Sequence, residues 1–299
     1  MRKYLLSLTV LLCAFGASAQ TTRLGLAYSG GSHLTQIKAS AEQVLSLNTK
    51  IGLSAKFSDE ENFKHPIYAL YVPVSVGGDF IHLNVAPFYY FKNKTALGDI
   101  RDEYGQPLEQ NSYAYGATAL LSLTMQQDDL NDLYTNAFLG ASFARSQGVL
   151  FSDKGAENRY YSQAAFSAGL HRNFYKFISF ELAGTAFEYP DGIKGVNGFY
   201  SVLDQQDLAY MQTFDVVHQL PKYTLSTRIT RLWTDRMATI YAGYRFGEFY
   251  GADAQHSFLL GNTFAMTRTI HADLGYNHLR TIHNEDKRDI FYMRLSTRF

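Results

Sequence analysis

Three side chains in the last thirty or so positions are of the types that acyl transfer needs. His271 and Asp273 stand two positions apart, which on an extended chain places both on one face. With Ser296 they would supply a nucleophile, a base and a group to orient the base. The same His-x-Asp spacing arises wherever a strand turns polar residues toward a wet interior, so no catalytic residue is assigned and the chain is not read as an enzyme. His278, His283, Glu285 and Asp286 gather within one short stretch, but their spacing matches no specific metal site, and solvated loop polarity accounts for them. Gln127-Asp128-Asp129 and Asn131-Asp132 carry turn chemistry rather than calcium-loop spacing. No glycine-rich phosphate cradle is present. Cys13 is the single cysteine of the chain. No metal ligand and no cofactor is therefore assigned.

The elements that would position these residues announce themselves by alternation of period two. In Leu45–Phe57, Leu45, Leu47, Ile51, Leu53 and Phe57 point one way, while Ser46, Asn48, Lys50, Ser54 and Lys56 point the other; the reading is one strand. Tyr68, Leu70, Val72, Val74 and Val76 run into Gly77-Gly78-Asp79, and Ile81, Leu83, Val85, Pro87, Tyr89 and Phe91 run out. That is a hairpin, with the glycines supplying positive backbone angles for a tight turn. Similar alternation recurs near 112–124, 133–145, 160–172, 176–187, 222–232, 237–247, 256–266, 269–280 and 288–299.

Residues 1–19 read as a cleaved signal peptide: Arg2 and Lys3, an apolar run from Tyr4 to Phe15, then Ala17-Ser18-Ala19, with the mature chain starting at Gln20. Cleavage as a lipoprotein before Cys13 is the competing reading, and Leu12 fits it poorly. Beyond residue 19 the chain has no cysteine, which excludes disulfides, thiol catalysis and cysteine-bound metals. It also has no apolar run long enough for a spanning helix. Lys and Arg together number 27, as do Asp and Glu, so the net charge of zero gives no sign of a nucleic-acid partner. Aromatic residues make up 15% of the chain, with 22 Tyr and 22 Phe, enough for girdles at two membrane interfaces. A mean hydropathy of −0.18 is low for a helical membrane protein but suits a barrel whose strands each turn one face to a polar lumen.

Short links near 77–79, 126–132, 172–175, 233–236 and 266–269 alternate with long polar ones at 58–66, 93–111, 146–159, 188–221, 248–255 and 281–287. Such alternation is the turn rule of transmembrane barrels. The expected fold is all-β: one domain over 20–299, a transmembrane antiparallel up-and-down β-barrel of about twelve to fourteen strands. Residues 20–43 are either the first two strands or a segment in the lumen. A soluble β-sandwich or propeller would also alternate, but with shorter strands and without the alternation of link lengths.

If apolar positions meet lipid, the other face lines the lumen. That set holds Lys50, Lys56, Arg228, Arg245, Arg294 and Arg298 with Glu181 and Asp273, joined by His82, Asn84, His171, His271 and Asn277. Six cations against two anions point to a lumen that favours anions, since charged rings set selectivity at close range. The expectation is passive transport of small polar solutes. Alternatively the cations pair with loop carboxylates inside a plugged barrel that serves as a surface receptor or docking subunit. Gly52, Gly116, Gly140, Gly169, Gly243 and Gly275 share the inward face and leave room for water, tight coiling or a plug. The loop over 188–221 either folds into the lumen or covers it from outside.

The last strand, with Phe291, Met293, Leu295, Thr297 and Phe299 alternating against Tyr292, Arg294, Ser296 and Arg298, resembles the C-terminal signal of bacterial outer-membrane β-barrels. The resemblance implies a Gram-negative outer membrane, lipid around the barrel, and recognition of the Phe299 strand by the barrel-assembly machinery. The chain is similar in size to monomeric porins and, with its Ala-Ser-Ala-Gln processing site, to barrel components of the type IX secretion machinery. In those, an asparagine-proline-rich segment stands where this chain has Thr21-Thr22-Arg23-Leu24. Outer-membrane phospholipases, which carry a Ser-His pair on a barrel wall, make lipid hydrolysis the third reading.

Overall fold

The computed structural model describes residues 22–31, 34–60, 65–101, 107–128, 133–152, 155–175, 178–193, 196–203, 208, 220–233, 238–282 and 287–298. The leader, the loop residues His283, Glu285 and Asp286, and Phe299 lie outside them. The elements are β1 (Thr22–Gly31), β2 (Leu34–Ser46), β3 (Thr49–Glu60), β4 (Ile67–Tyr71), β5 (Val74–Gly77), β6 (Ile81–Arg101), β7 (Pro107–Asp128), β8 (Leu133–Ser152), β9 (Gly155–Tyr175), β10 (Ile178–Glu188), β11 (Val196–Tyr200), β12 (Leu220–Trp233), β13 (Ala238–Tyr250), β14 (Gln255–Ala265), β15 (Ile270–Thr281) and β16 (Lys287–Arg298).

Neighbours in sequence pair antiparallel around one sheet, and the circle closes where β1 meets β16. β4 and β5 are two halves of one wall strand, both pairing β3 and β6. The break falls at Val72-Pro73, where Pro73 has no N–H to give; Pro73 O instead accepts from Gly52 N at 2.7 Å, and Val72 N donates to Pro87 O at 3.0 Å. Counted this way, the wall is a closed barrel of 14 strands, with β11 outside the count. Closure leaves no wall edge unpaired, the condition for backbone to cross lipid. No described helix is long and apolar enough to cross a membrane.

Alternation fixes the two faces. Leu26, Tyr28, Leu83, Tyr89, Leu139, Phe166, Leu182, Leu225, Ile229, Phe258, Leu260, Leu274 and Phe291 are exposed on the convex side. Their chain neighbours point inward and are mostly small or polar.

Two sequence readings change. Leu45–Phe57 is not one strand: β2 ends at Ser46, and the chain turns through Leu47-Asn48, where Asn48 N donates to Ser46 Oγ at 3.3 Å. Residues expected to link strands at 93–111 and 146–159 are largely strand, because β6 with β7 and β8 with β9 stay paired well above the rest of the wall. The hairpin glycine Gly77 has the expected positive φ, 158°, and a Cβ there would also meet Ile81 O and the His82 backbone. The start of the chain is also settled: β1 and β2 are paired wall strands, from Thr22↔Gln43 to Gly31↔Leu34.

β11 belongs to the long link between β10 and β12. Pairing of β7 with β8 stops at Tyr113↔Gln147, and the freed edge of β8 takes β11, with Tyr200 opposite Val149 and Val196 opposite Ser152.

Candidate functional site

The chain after β11 runs into the barrel. Val202, Leu203 and Leu208 are 2–3% exposed and pack with Ile67, Ala69, Tyr71, Phe88, Tyr90 and Phe187 from the wall. The wall beneath them is cut back to small residues: Ala114, Ala144 and Ala165 on three successive strands belong to the same cluster. Their hydroxyl neighbours hold the loop backbone. Val202 N donates to Ser112 Oγ at 3.1 Å, Ser142 Oγ to Leu208 O at 2.7 Å, and the Ser146 and Ser201 hydroxyls share a hydrogen bond of 2.6 Å. A loop that enters a barrel needs its polar backbone satisfied there, and these serines do it. Tyr189 anchors the start of the loop, donating to Pro221 O at 2.9 Å.

Two lysines border this plugged sector. Lys38 Nζ lies 4.5 Å from the Tyr71 ring centroid, and buried Lys56 lies 5.7 Å from that of Tyr90. Tyr71 Oη donates to Tyr90 Oη at 2.8 Å, and Phe88 meets Tyr90 edge-on. Cation and ring faces attract one another.

Toward the short-turn end the inward face carries charge in rows. Asn136, His171, Glu181 and Arg228 are successive register partners across β8, β9, β10 and β12. Arg228 Nη2 lies 2.9 Å from Glu181 Oε2, with its guanidinium 5.6 Å from the centre of the Tyr241 ring. Tyr241 Oη donates to Asp273 Oδ1 at 2.6 Å and also bonds Tyr292 Oη. Asp273 stands opposite Arg294. On the first strands, Glu42 lies 3.7 Å from Arg23 and 4.0 Å from Lys50.

The remaining residues of the expected lumen set take these positions. His82 sits opposite Gly77 at the turn, and Asn84 donates to Ser75 Oγ at 2.9 Å. Arg245 is buried opposite Ser257, whose hydroxyl donates to Asn277 Oδ1 at 2.6 Å. His271 is the register partner of Ser296, while Asp273 is engaged by Tyr241. Arg298 is described in its backbone only, opposite Arg23. On the outer face His278 Nδ1 lies 2.8 Å from Asp289 Oδ1, and no set of three metal-ligating side chains converges among the described residues.

Glu42 and Lys38 were not in the expected set, because Ala39 and Ala41 give β2 too little apolar contrast to fix its register; Arg23, opposite Glu42 on β1, was missed with them. The seat of the loop did leave a signal: Ser112, Ala114 and Gly116 on β7, and Ser142, Ala144 and Ser146 on β8, are small at every second position. The inward glycines also have a use. Gly169 lies under Phe138, Gly275 under Tyr292 and Gly261 under Tyr241, where a Cβ would collide with the ring. These rings lie against the wall in the space a Cβ would fill.

No protein-family model matches the sequence, and no curated protein is similar to it in sequence. Solved structures are similar in fold. The CymD monoaromatic hydrocarbon channel superposes with a TM-score of 0.57 at 9% identity, over 95% of this chain and 90% of that one. CdiB from Acinetobacter baumannii gives 0.52 at 12% identity, over 93% of this chain but 60% of CdiB. The Pseudomonas putida toluene transporter TodX gives 0.50 at 11% identity, over 95% of this chain and 90% of that one. At such identities the fold is what is shared. It is the closed antiparallel barrel of bacterial outer-membrane porins and channels.

Proposed function

We propose that the protein is an outer-membrane channel through which small polar solutes pass passively, anions in preference, with the inserted loop narrowing the lumen. The observation that carries this reading is solvent at charged groups facing inward: the side chains of Arg23, Arg228 and Lys50 are 45%, 39% and 29% exposed. Charges at that depth are stable only with water or partners around them. Arg23, Lys50, Arg228 and Arg294 on the open side set the ion preference, against Glu42, Glu181 and Asp273. Lys56, Arg245, His82, His171, His271 and Arg298 complete the polar wall. Export by the leader and assembly through the terminal strand of β16 and Phe299 belong to the same proposal.

Single-channel conductance of the purified protein in a planar bilayer under a salt gradient tests it. Stepwise conductance with a reversal potential on the anion side supports the proposal. Silence from a folded, heat-modifiable barrel overturns it.

That silence would favour a second reading, a plugged barrel for docking or reception. The burial of Val202, Leu203 and Leu208 across one side of the lumen speaks for it. A lipid-modifying enzyme has less support, since Asp273 is bonded to Tyr241.

A further inference from the structure

On the convex face of β13 to β16, near the long-loop end, three pairing rows stack in a definite order. The lowest holds Ala242, Leu260, Tyr276 and Phe291; the next Tyr244, Phe258, His278 and Asp289; the highest Phe246, His256, Arg280 and Lys287. The aromatic rings lie in two groups: Tyr276 with Phe291 at 5.0 Å, and above them Tyr244 with Phe258 at 5.3 Å and Phe246 with His256 at 5.4 Å. Apolar, then aromatic, then charged is the order in which a barrel wall leaves a bilayer.

The top row is unbalanced. Arg280 and Lys287 are direct cross-strand partners, both exposed, and like charges so placed repel. His256 stands on the far side of Arg280. Among the described residues, no carboxylate forms an ion pair with either cation. Asp289, the acid one row below, is engaged by His278 at 2.8 Å and by Tyr276. Lys222 and Arg159, by contrast, each have a carboxylate beside them, Glu248 at 2.8 Å and Glu157 at 3.7 Å.

We propose that Arg280 and Lys287, flanked by His256, bind the phosphate of a phosphorylated lipid whose acyl chains lie along the aromatic and aliphatic rows below. Neighbouring strands lie about 4.8 Å apart, so a phosphate group can sit between the two side chains and accept from both. The ring patch directly beneath offers the chains an apolar track, which a free anion would not use. The site rests on the reading that this face meets membrane lipid.

The test uses the full-length folded barrel in detergent micelles and native mass spectrometry, with bisphosphorylated lipid A and its dephosphorylated form as probes. The phosphorylated lipid binds more tightly, by about fivefold for each cation contributing at the membrane surface. Arg280→Ser with Lys287→Ser brings it down to the level of the dephosphorylated lipid, while Lys222→Ser leaves it unchanged. Equal binding of the two lipids overturns the site, as does a double variant that binds like the parent. Competition by millimolar inorganic phosphate without lipid also overturns it, because the anion alone would then be the ligand. Conductance recorded on the same preparations separates the two readings: a conducting barrel indifferent to lipid phosphate fails here alone, and a silent barrel that binds it fails only as a channel.

Discussion

Glu181 and Arg228 face each other across β10 and β12 at 2.9 Å, the glutamate nearly buried and the guanidinium still in contact with solvent. The pair is asymmetric: the acid is neutralised by a base that also reaches the lumen. Replacing Glu181 with Gln keeps the shape and releases the positive charge. The permeability ratio of anions to cations should rise roughly threefold, equivalent to about 0.7 kcal/mol at the barrier. Arg228→Glu with Lys50→Glu should move the reversal potential toward cations. An unchanged reversal potential in both variants would refute the cationic-lumen proposal.

The loop seat predicts conductance in a different way. Val202→Asp with Leu203→Asp would bury two carboxylates against Tyr71, Phe88 and Phe187, a cost of several kcal/mol that the serine hydrogen bonds cannot offset. The loop should leave the lumen while the wall stays closed. Single-channel conductance should increase, with heat-modifiable mobility retained. A double variant that folds and conducts like the parent would show that this segment is no constriction.

The wall was legible in the sequence wherever bulky apolar residues alternated with polar ones, as in Ile81–Phe91 and in Phe291–Thr297. It was misread where contrast or punctuation was missing. Leu45 and Leu47 keep in phase with Ile51 and Leu53, and the Leu47-Asn48 turn contains no glycine or proline, so nothing in the pattern marks the bend. In β1 and β2, Leu24 and Leu26 sit beside Ala41 and Ala39, which give the lipid face of β2 little hydrophobic signal. From Asn93 onward the sequence of β6 mixes polar and apolar residues without alternation, as in Lys94-Thr95-Ala96-Leu97, and period two shows only where it alternates. The insertion of Val202 and Leu203 lay beyond local pattern, because the small residues that receive them are ninety positions earlier at Ser112 and Ala114.

A ring that lies against the wall needs its glycine. Gly275→Val would place a branched side chain where the Tyr292 ring rests and would displace its hydroxyl from Tyr241. Overpacking of this kind costs about 1–3 kcal/mol. The expected result is a lower urea midpoint for the folded barrel in micelles. Gly192→Ala, in the loop at φ 73° with nothing near its Cβ position, should cost about 1 kcal/mol from backbone strain and leave the Tyr292 contact intact.

Leu259 and Leu260 are chain neighbours on β14 that face opposite solvents: Leu260 is exposed on the convex side, and Leu259 points inward beside Gly243. A cation on the lipid side of a barrel must leave water, whereas on the lumen side it joins a polar wall already carrying Arg228 and Arg245. Leu260→Arg is therefore expected to destabilise the barrel by about 2 kcal/mol when unfolded from lipid vesicles, within the range for lipid-facing positions. Leu259→Arg should cost less and should instead raise anion preference. If Leu259→Arg proves the more harmful in vesicles, the two faces of the wall have been assigned the wrong way round, and the cationic lumen falls with them.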